Sequence, residues 1–405
     1  IKNCSELHTM KGPERPRKGK EMRDTGLIED GGLAIKGEEI IDVGLTKQII
    51  KEYEGDNVID AKGKTVIPGF VDPHTHLIFA GSREDELVKK IKGKTYMEIL
   101  KEGGGILRTV RDTRNTSKKE LIDAGRKRLD RMMKYGTTTA EAKSGYGLDL
   151  DNEIKSLEVI KKLNEEQPVD LIPSYLGAHS LPPEFDDSGE YIDFCIEKVL
   201  PKIVEKDLAK FCDVFCEKGV FDSNESRKLL EKAKELGLGL RVHADEIENI
   251  GCSSMAADLQ AVSAEHLVKT TEKDIELMAK NGTIGILLPG TPFMLMEKQY
   301  SPATDMIDKE MPIALATDLN PNCYTESMQM IITLACLQMK MTPAEALTAS
   351  TINAAQAIER KDIGILKRGK KADITILDIP NHMHIPYHFG VNLVDEVYKN
   401  GRKIV

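Results

Sequence analysis

The chain has 405 residues, 40% of them hydrophobic and 30% charged, with a formal net charge of −9. Its length exceeds one ordinary domain unless that domain is a barrel with an appended module, and its composition excludes an intrinsically disordered protein. An acidic chain lacks the basic excess that neutralises phosphates, so no nucleic-acid partner is expected.

Residues 1–65 read as short strands joined by turns. The segment from Gly32 to Gly44 alternates and turns at Gly37, as a hairpin does. The polar stretch between Lys11 and Asp30 mixes bases with acids, prolines and glycines, and reads as a solvated loop. From Val66 the texture changes. Brief apolar runs at 66–71, 137–142, 171–176, 211–216, 238–243, 262–266, 282–288 and 312–317 alternate with charged stretches of helical period, such as 118–134, 152–166 and 223–236. In the last of these Ser223 fits an N-cap and Gly237 a C-terminal stop. Strands alternating with helices imply a parallel sheet, and eight units over about 290 residues are what a (β/α)8 TIM barrel needs.

A doubly wound open sheet is the competing α/β architecture. No Gly-x-Gly-x-x-Gly follows the first run, and Glu102-Gly-Gly-Gly105 precedes no nucleotide fingerprint, so the barrel ranks first. Residues 344–358 read as a helix whose Pro343 follows a Thr342 cap. Strands return at 371–378 and on both sides of the Asn400-Gly401 turn. The expected α/β architecture is a barrel over residues 66–359, flanked by a small β-sandwich module built from residues 1–65 and 360–405.

Barrel active sites lie at the C-terminal ends of the strands. The first run leads into Asp72-Pro-His74-Thr-His76, and residues i and i+2 of an extended chain point the same way, so two imidazoles can converge on one ion. An accidental His-x-His among nine histidines has odds of about one in five, so the pair says little alone. The other run ends add Tyr146 within Glu141-Ala-Lys-Ser-Gly-Tyr-Gly, then His179, His243-Ala-Asp-Glu246, Glu265-His266 and Asp318-Leu-Asn320. Five of the nine histidines therefore fall at strand ends, and metal binding is the expectation.

Each residue also has a plainer reading. His243 fits a core histidine satisfied by a carbonyl, Asp318 a helix cap, Tyr146 loop packing, and Arg83 a solvated charge. Three His and one Asp around one divalent ion leave a position for water, whose pKa the metal lowers. Glu246 is then the candidate proton carrier, and His266 could orient or polarise the attacked carbonyl. No lysine ends the fourth run, where a bridging ligand would be wanted, and Lys218 lies beyond it; one metal is expected rather than two.

Seven cysteines without regular spacing do not read as a disulfide framework. Cys195, Cys212, Cys216 and Cys336 lie in apolar runs, where a free thiol behaves as a small hydrophobe, and the i, i+4 pair Cys212 and Cys216 reads as core. A reducing, cytoplasmic compartment follows. No stretch approaches a transmembrane helix and the N-terminus lacks signal-peptide form, so no membrane partner is expected.

The His74-Thr-His76 motif, lone His243, His266 and Asp318, with the closing segment 364–378, resemble the amidohydrolase superfamily. Glu102-Gly-Gly-Gly-Ile, Lys143-Ser-Gly-Tyr-Gly-Leu148, Gly177-Ala-His179, Asp213-Val-Phe-Cys-Glu217 and Asp318-Leu-Asn320-Pro are similar, more narrowly, to its ring-opening members of histidine degradation. The resemblance spans essentially the whole chain. It implies hydrolysis of 4-imidazolone-5-propanoate, a small-molecule substrate, to N-formimidoyl-L-glutamate, by a homodimer. It implies one zinc or iron held by His74, His76, His243 and Asp318. Arg83 would hold the propanoate, Tyr146 and His179 the substrate, Glu246 would lie near water and ring, and Asn320 would bind product. Asn322 and Cys323 depart from a pattern of glycine and a small hydroxyl residue, which changes the product contacts expected there. The rival enzyme is a mononuclear deaminase of a purine or pyrimidine, which has no evident need for Arg83 or the Ser-Gly-Tyr-Gly loop. A non-catalytic scaffold should have lost a ligand, and none is missing.

Overall fold

In a computed structural model, residues 1–94, 98–99 and 102–405 are described. Strands β1 (Cys4–His8), β2 (Leu27–Lys36), β3 (Glu39–Leu45) and β4 (Thr65–Pro68) come from the N-terminal region. The barrel strands are β5 (Phe70–Asp72), β6 (Thr137–Lys143), β7 (Asp170–Ala178), β8 (Phe211–Cys216), β9 (Gly239–Ala244), β10 (Ser263–His266), β11 (Ile284–Leu287) and β12 (Ile313–Leu315). The C-terminal region adds β13 (Ile374–Leu377), β14 (Val394–Lys399) and β15 (Arg402–Lys403).

β5 to β12 lie side by side in chain order, every pair parallel. The ring closes at the mouth, where Asp318 N donates to His74 O at 3.1 Å and His76 N to Leu319 O at 2.9 Å. Helices between the strands bury one face on this ring because their apolar residues recur at helical spacing. Helix Lys118–Lys134, for example, buries Leu121, Leu129 and Met132, and its Ser117 cap accepts from Glu120 N. Asp222, rather than Ser223, caps helix Ser223–Glu235, since Asp222 Oδ1 accepts from both Asn224 N and Glu225 N.

The terminal strands form one seven-stranded sheet in the order β15-β14-β13-β4-β1-β2-β3. It folds back on itself: β3 reaches the chain entering β13 through Ile40 N to Lys370 O and Ala372 N to Glu38 O. Its inner face encloses Leu7, Leu33, Ile40, Val66, Ile374 and Ile376.

Four further readings of the sequence need correction. The run 66–71 is two strands in two sheets, with Gly69 between them; a Cβ there would lie 2.3 Å from Thr138 Cγ2, so only glycine lets the strand turn this close to β6. The stretch after Lys11 is exposed along Lys11–Arg15, as expected, but is pinned further on: Arg17 is buried with its guanidinium on the Met10 and Asp24 carbonyls, and Met22 lies in the core. Residues 344–358 break into helices Pro343–Ala349 and Ile352–Ala357, because Thr351 leaves helical geometry. Cys216 and Cys252 form a disulfide across a Cα separation of 5.8 Å, because parallel pairing of β8 and β9 sets the end of one strand against the helix after the other. Among the described residues no helix is long and apolar enough to cross a membrane.

Candidate active site

Four strand ends bring His74, His76, His243, His266 and Asp318 together at the barrel mouth, and all five are buried. His74 Nε2 lies 3.4 Å and His76 Nε2 3.5 Å from Asp318 Oδ1, and His243 Nε2 lies 3.4 Å from His76 Nε2. These separations of 3.4–3.5 Å are close enough for the atoms to share one ion. His74 Nε2 and Asp318 Oδ1 are sealed from solvent with no hydrogen-bond partner, which in a protein interior calls for a ligand. Asp318 Oδ2 accepts from the Thr291 hydroxyl, which fixes the carboxylate plane.

Beneath the histidines lies a buried floor of charge. Lys143 Nζ donates to Glu141 Oε1 at 2.8 Å and Asp213 Oδ2 at 2.7 Å, and lies 3.2 Å from Glu265 Oε2. Arg241 donates to Glu265 Oε1 and to the Pro73 carbonyl. Two of these carboxylates face ligand-candidate rings: Asp213 Oδ1 lies 3.1 Å from His243 Nδ1, and Glu265 pairs with His74 Nδ1. A carboxylate that accepts at Nδ1 places the ring proton there and leaves the Nε2 lone pair free to bind metal. Burial pushes Asp213 up, but His243 and Lys143 outweigh it and hold it at about 2. Glu265 likewise stays ionised through Arg241, His74 and Lys143.

Around this centre stand three residues singled out in the sequence. His179 stacks on His76 with ring centroids 4.9 Å apart, and its Nδ1 sits 2.9 Å from the Gly145 carbonyl. Tyr146 is buried 5.8 Å from His76 and 5.2 Å from His179, centroid to centroid. Its loop is held by Glu153, which accepts from the backbone of Gly145, Gly147 and Leu148. Glu246 follows β9 and has Oε2 3.6 Å from His266 Nε2. Burial, then the charges of Asp318 and Glu217, push Glu246 up to about 8. Burial and the neighbouring rings His243 and His74 bring His266 down to about 3 against Asp318, so it is neutral at pH 7. Asp245, His266 and Asp318 all have positive φ, and such strain persists only where surrounding structure enforces it.

The rim is different. Arg83 is not a solvated charge: it is buried, with its guanidinium on Glu86 Oε2 at 2.8 Å. Lys90 Nζ reaches Asn322 Oδ1, and burial together with Arg83 lowers the Lys90 pKa. The Asn320 amide is spent on its own loop, donating to Asp318 O and accepting from Asn322 N and Cys323 N. Cys323 is buried with Sγ 3.6 Å from the Thr317 carbonyl, and burial raises its thiol pKa. Lys218 is exposed on Glu248, away from the centre.

Lys143, Asp213, Arg241, Glu265, Glu153 and Lys90 carried no role in the sequence reading. Charged residues inside strands, at Lys143 and Asp213, were the available signal, since an ionised strand residue next to a strand end must find a buried partner.

Residues 65–404 match the model of the amidohydrolase family, and the chain belongs to it. A solved adenosine deaminase from Xanthomonas campestris with bound zinc has the same fold, with a TM-score of 0.74 at 15% identity, covering 99% of this chain and 91% of that one. Imidazolonepropionases from Alkaliphilus metalliredigens and Alkaliphilus oremlandii are 53% and 50% identical to it, each over 100% of this chain and 97% of theirs. Within the amidohydrolases, the chain belongs with the imidazolonepropionases.

Proposed function

We infer that this chain is the hydrolase of histidine degradation that opens the imidazolone ring of 4-imidazolone-5-propanoate to N-formimidoyl-L-glutamate. The observation that carries the reading to particular residues is the convergence of His74, His76, His243 and Asp318 under Nδ1-directed carboxylates, with Glu246 alongside. Those four residues would hold one zinc or iron. When bound, the metal supplies a water of near-neutral pKa and Lewis acidity at the ring carbonyl.

The remaining work falls to the chain. Glu246, in its carboxylate form, takes the proton of the attacking water and returns it to the ring nitrogen as the C–N bond breaks. Neutral His266 donates toward the oxygen that gains charge. Arg83 and Lys90, both cationic and adjacent, receive the propanoate carboxylate, while Tyr146 and His179 face the ring. Asn320 shapes the loop that carries Asn322 and Cys323 against the product.

The test supplies imidazolonepropanoate to metal-loaded protein and follows loss of the ring chromophore. Silence there, with ammonia released from a purine or pyrimidine, would replace this reading with the deaminase.

A further inference from the structure

A second group of metal-ligating side chains lies outside the barrel, where the two ends of the chain meet. Glu6 and His8 are on β1, two residues apart on one face of the strand, and His382 follows β13. Glu6 Oε2 lies 2.7 Å from His8 Nε2 and 3.0 Å from His382 Nδ1, and the His382 backbone N–H donates to the same oxygen at 2.8 Å. The rings of His8 and His382 meet edge to face with centroids 4.6 Å apart. One nitrogen from each ring and one Glu6 oxygen all lie within 4.8 Å of one another.

We propose that Glu6, His8 and His382 form a second, non-catalytic site for a zinc-like divalent cation that ties the N-terminal strand to the C-terminal segment. Two imidazoles and one carboxylate select a borderline transition metal over magnesium or calcium, which prefer oxygen alone. The His8 Nδ1 lies 2.8 Å from the Thr25 hydroxyl oxygen, a partner able to accept its proton and leave Nε2 as the ligand atom. His8 is buried while the Glu6 and His382 side chains are 14% and 16% exposed, so the site has a wall on one side and an entry on the other. The residue before His382, Asn381, has a carboxamide oxygen shut from solvent without a hydrogen-bond partner. Burial raises Glu6, but hydrogen bonds from His8 and His382 hold it at about 2, and burial lowers His8; binding a cation exchanges the His8 Nε2–H bond to Glu6 for the tautomer with its proton on Nδ1, facing Thr25. Closing the span from residue 6 to residue 382 would stabilise the terminal sheet by mass action.

The experiment counts zinc bound at equilibrium by chelator-stripped, full-length protein. Two equivalents are expected for the wild type, and one each for Glu6→Gln, His382→Phe and His243→Ala. Zinc should also raise the Tm of His243→Ala, and that rise should vanish in the His243→Ala, His382→Phe double variant. Wild type holding one equivalent, or both outer variants retaining two, would mean that the three side chains make only a hydrogen-bonded clip. Loss of metal from His243→Ala alone would remove the outer site and leave the barrel site standing, so the two readings fail separately.

Discussion

The floor and the rim of the barrel mouth solve opposite problems with the same side-chain chemistry. In the floor, Glu141, Lys143, Asp213, Arg241 and Glu265 sit on strands, are wholly buried and are paired with one another. At the rim, Arg83, Lys90 and Asn322 sit on or beside loops and helix ends, and Lys90 and Asn322 keep part of their surface open. A buried ion pair contributes little net stability but fixes geometry strongly, and in the floor it sets the ring tautomers above it. A cation whose partner can be exchanged is suited instead to a charged ligand. On the proposed function, strands would hold the metal and loops would choose what meets it.

That division is tested first where it should matter most. Glu246→Gln keeps the shape of the site and removes its proton carrier, so kcat should fall about 10²–10⁴-fold with metal content unchanged. Full kcat in that variant would take Glu246 out of the chemistry. The same substitution carries a pH signature in metal-free protein. The folded-state pKa of Glu246 is raised to about 8, so its contribution is present below the unfolded value near 4.5 and is lost as pH rises through 8. Glu246→Gln should therefore gain stability relative to wild type as pH climbs across that window, read as a difference in Tm.

Lys143→Met is next. It leaves Glu141, Asp213 and Glu265 buried without their common cation, and should destabilise the fold by about 3–5 kcal/mol in urea unfolding. An unchanged midpoint would mean that the carboxylates are satisfied some other way and that the floor is not one network.

How much of this was legible in the sequence follows the same line. The barrel was readable because strand runs and helical stretches differ in period, and the five histidines were readable because each stands where its run stops. The floor was not. Lys143 meets Asp213 across 70 residues and Glu265 on a third strand, and no local pattern records such a partner. The Cys216–Cys252 bond was missed for the same reason, since an apolar-run cysteine such as Cys216 looks alike whether bonded or free and its partner lies 36 residues on. The run 66–71 hid its division because both halves are apolar, and the switch of sheets rests on the one missing Cβ of Gly69. Arg17 looked solvated because its partners are backbone carbonyls, which carry no residue identity.

Between Lys143→Met and the rim variants in expected size comes a second floor substitution, Asp213→Asn, which keeps the contour but weakens the hold on the His243 Nδ1 proton. Metal affinity should drop about 10–100-fold, measured by competition with a chromophoric chelator. Wild-type affinity would show that Asp213 belongs to the Lys143 pairing alone.

The smallest effect sharpens the rim. Arg83 already has Glu86, so a substrate carboxylate would share or displace that partner rather than fill an empty site. The net gain is then at the low end for a charged hydrogen bond, about 1.5 kcal/mol, or about tenfold in affinity. Arg83→Ala should raise KM about tenfold with kcat and metal content retained, because carboxylate binding is the same in ground and transition states. Lys90→Met should shift KM the same way, since burial and the neighbouring Arg83 disfavour the Lys90 charge and a carboxylate relieves it. A fall in kcat at constant KM would place Arg83 with the chemistry instead, and the rim would then share the role assigned to the floor. No change in either constant would leave the Arg83–Glu86 pair as a structural clasp at the start of helix Glu84–Ile91.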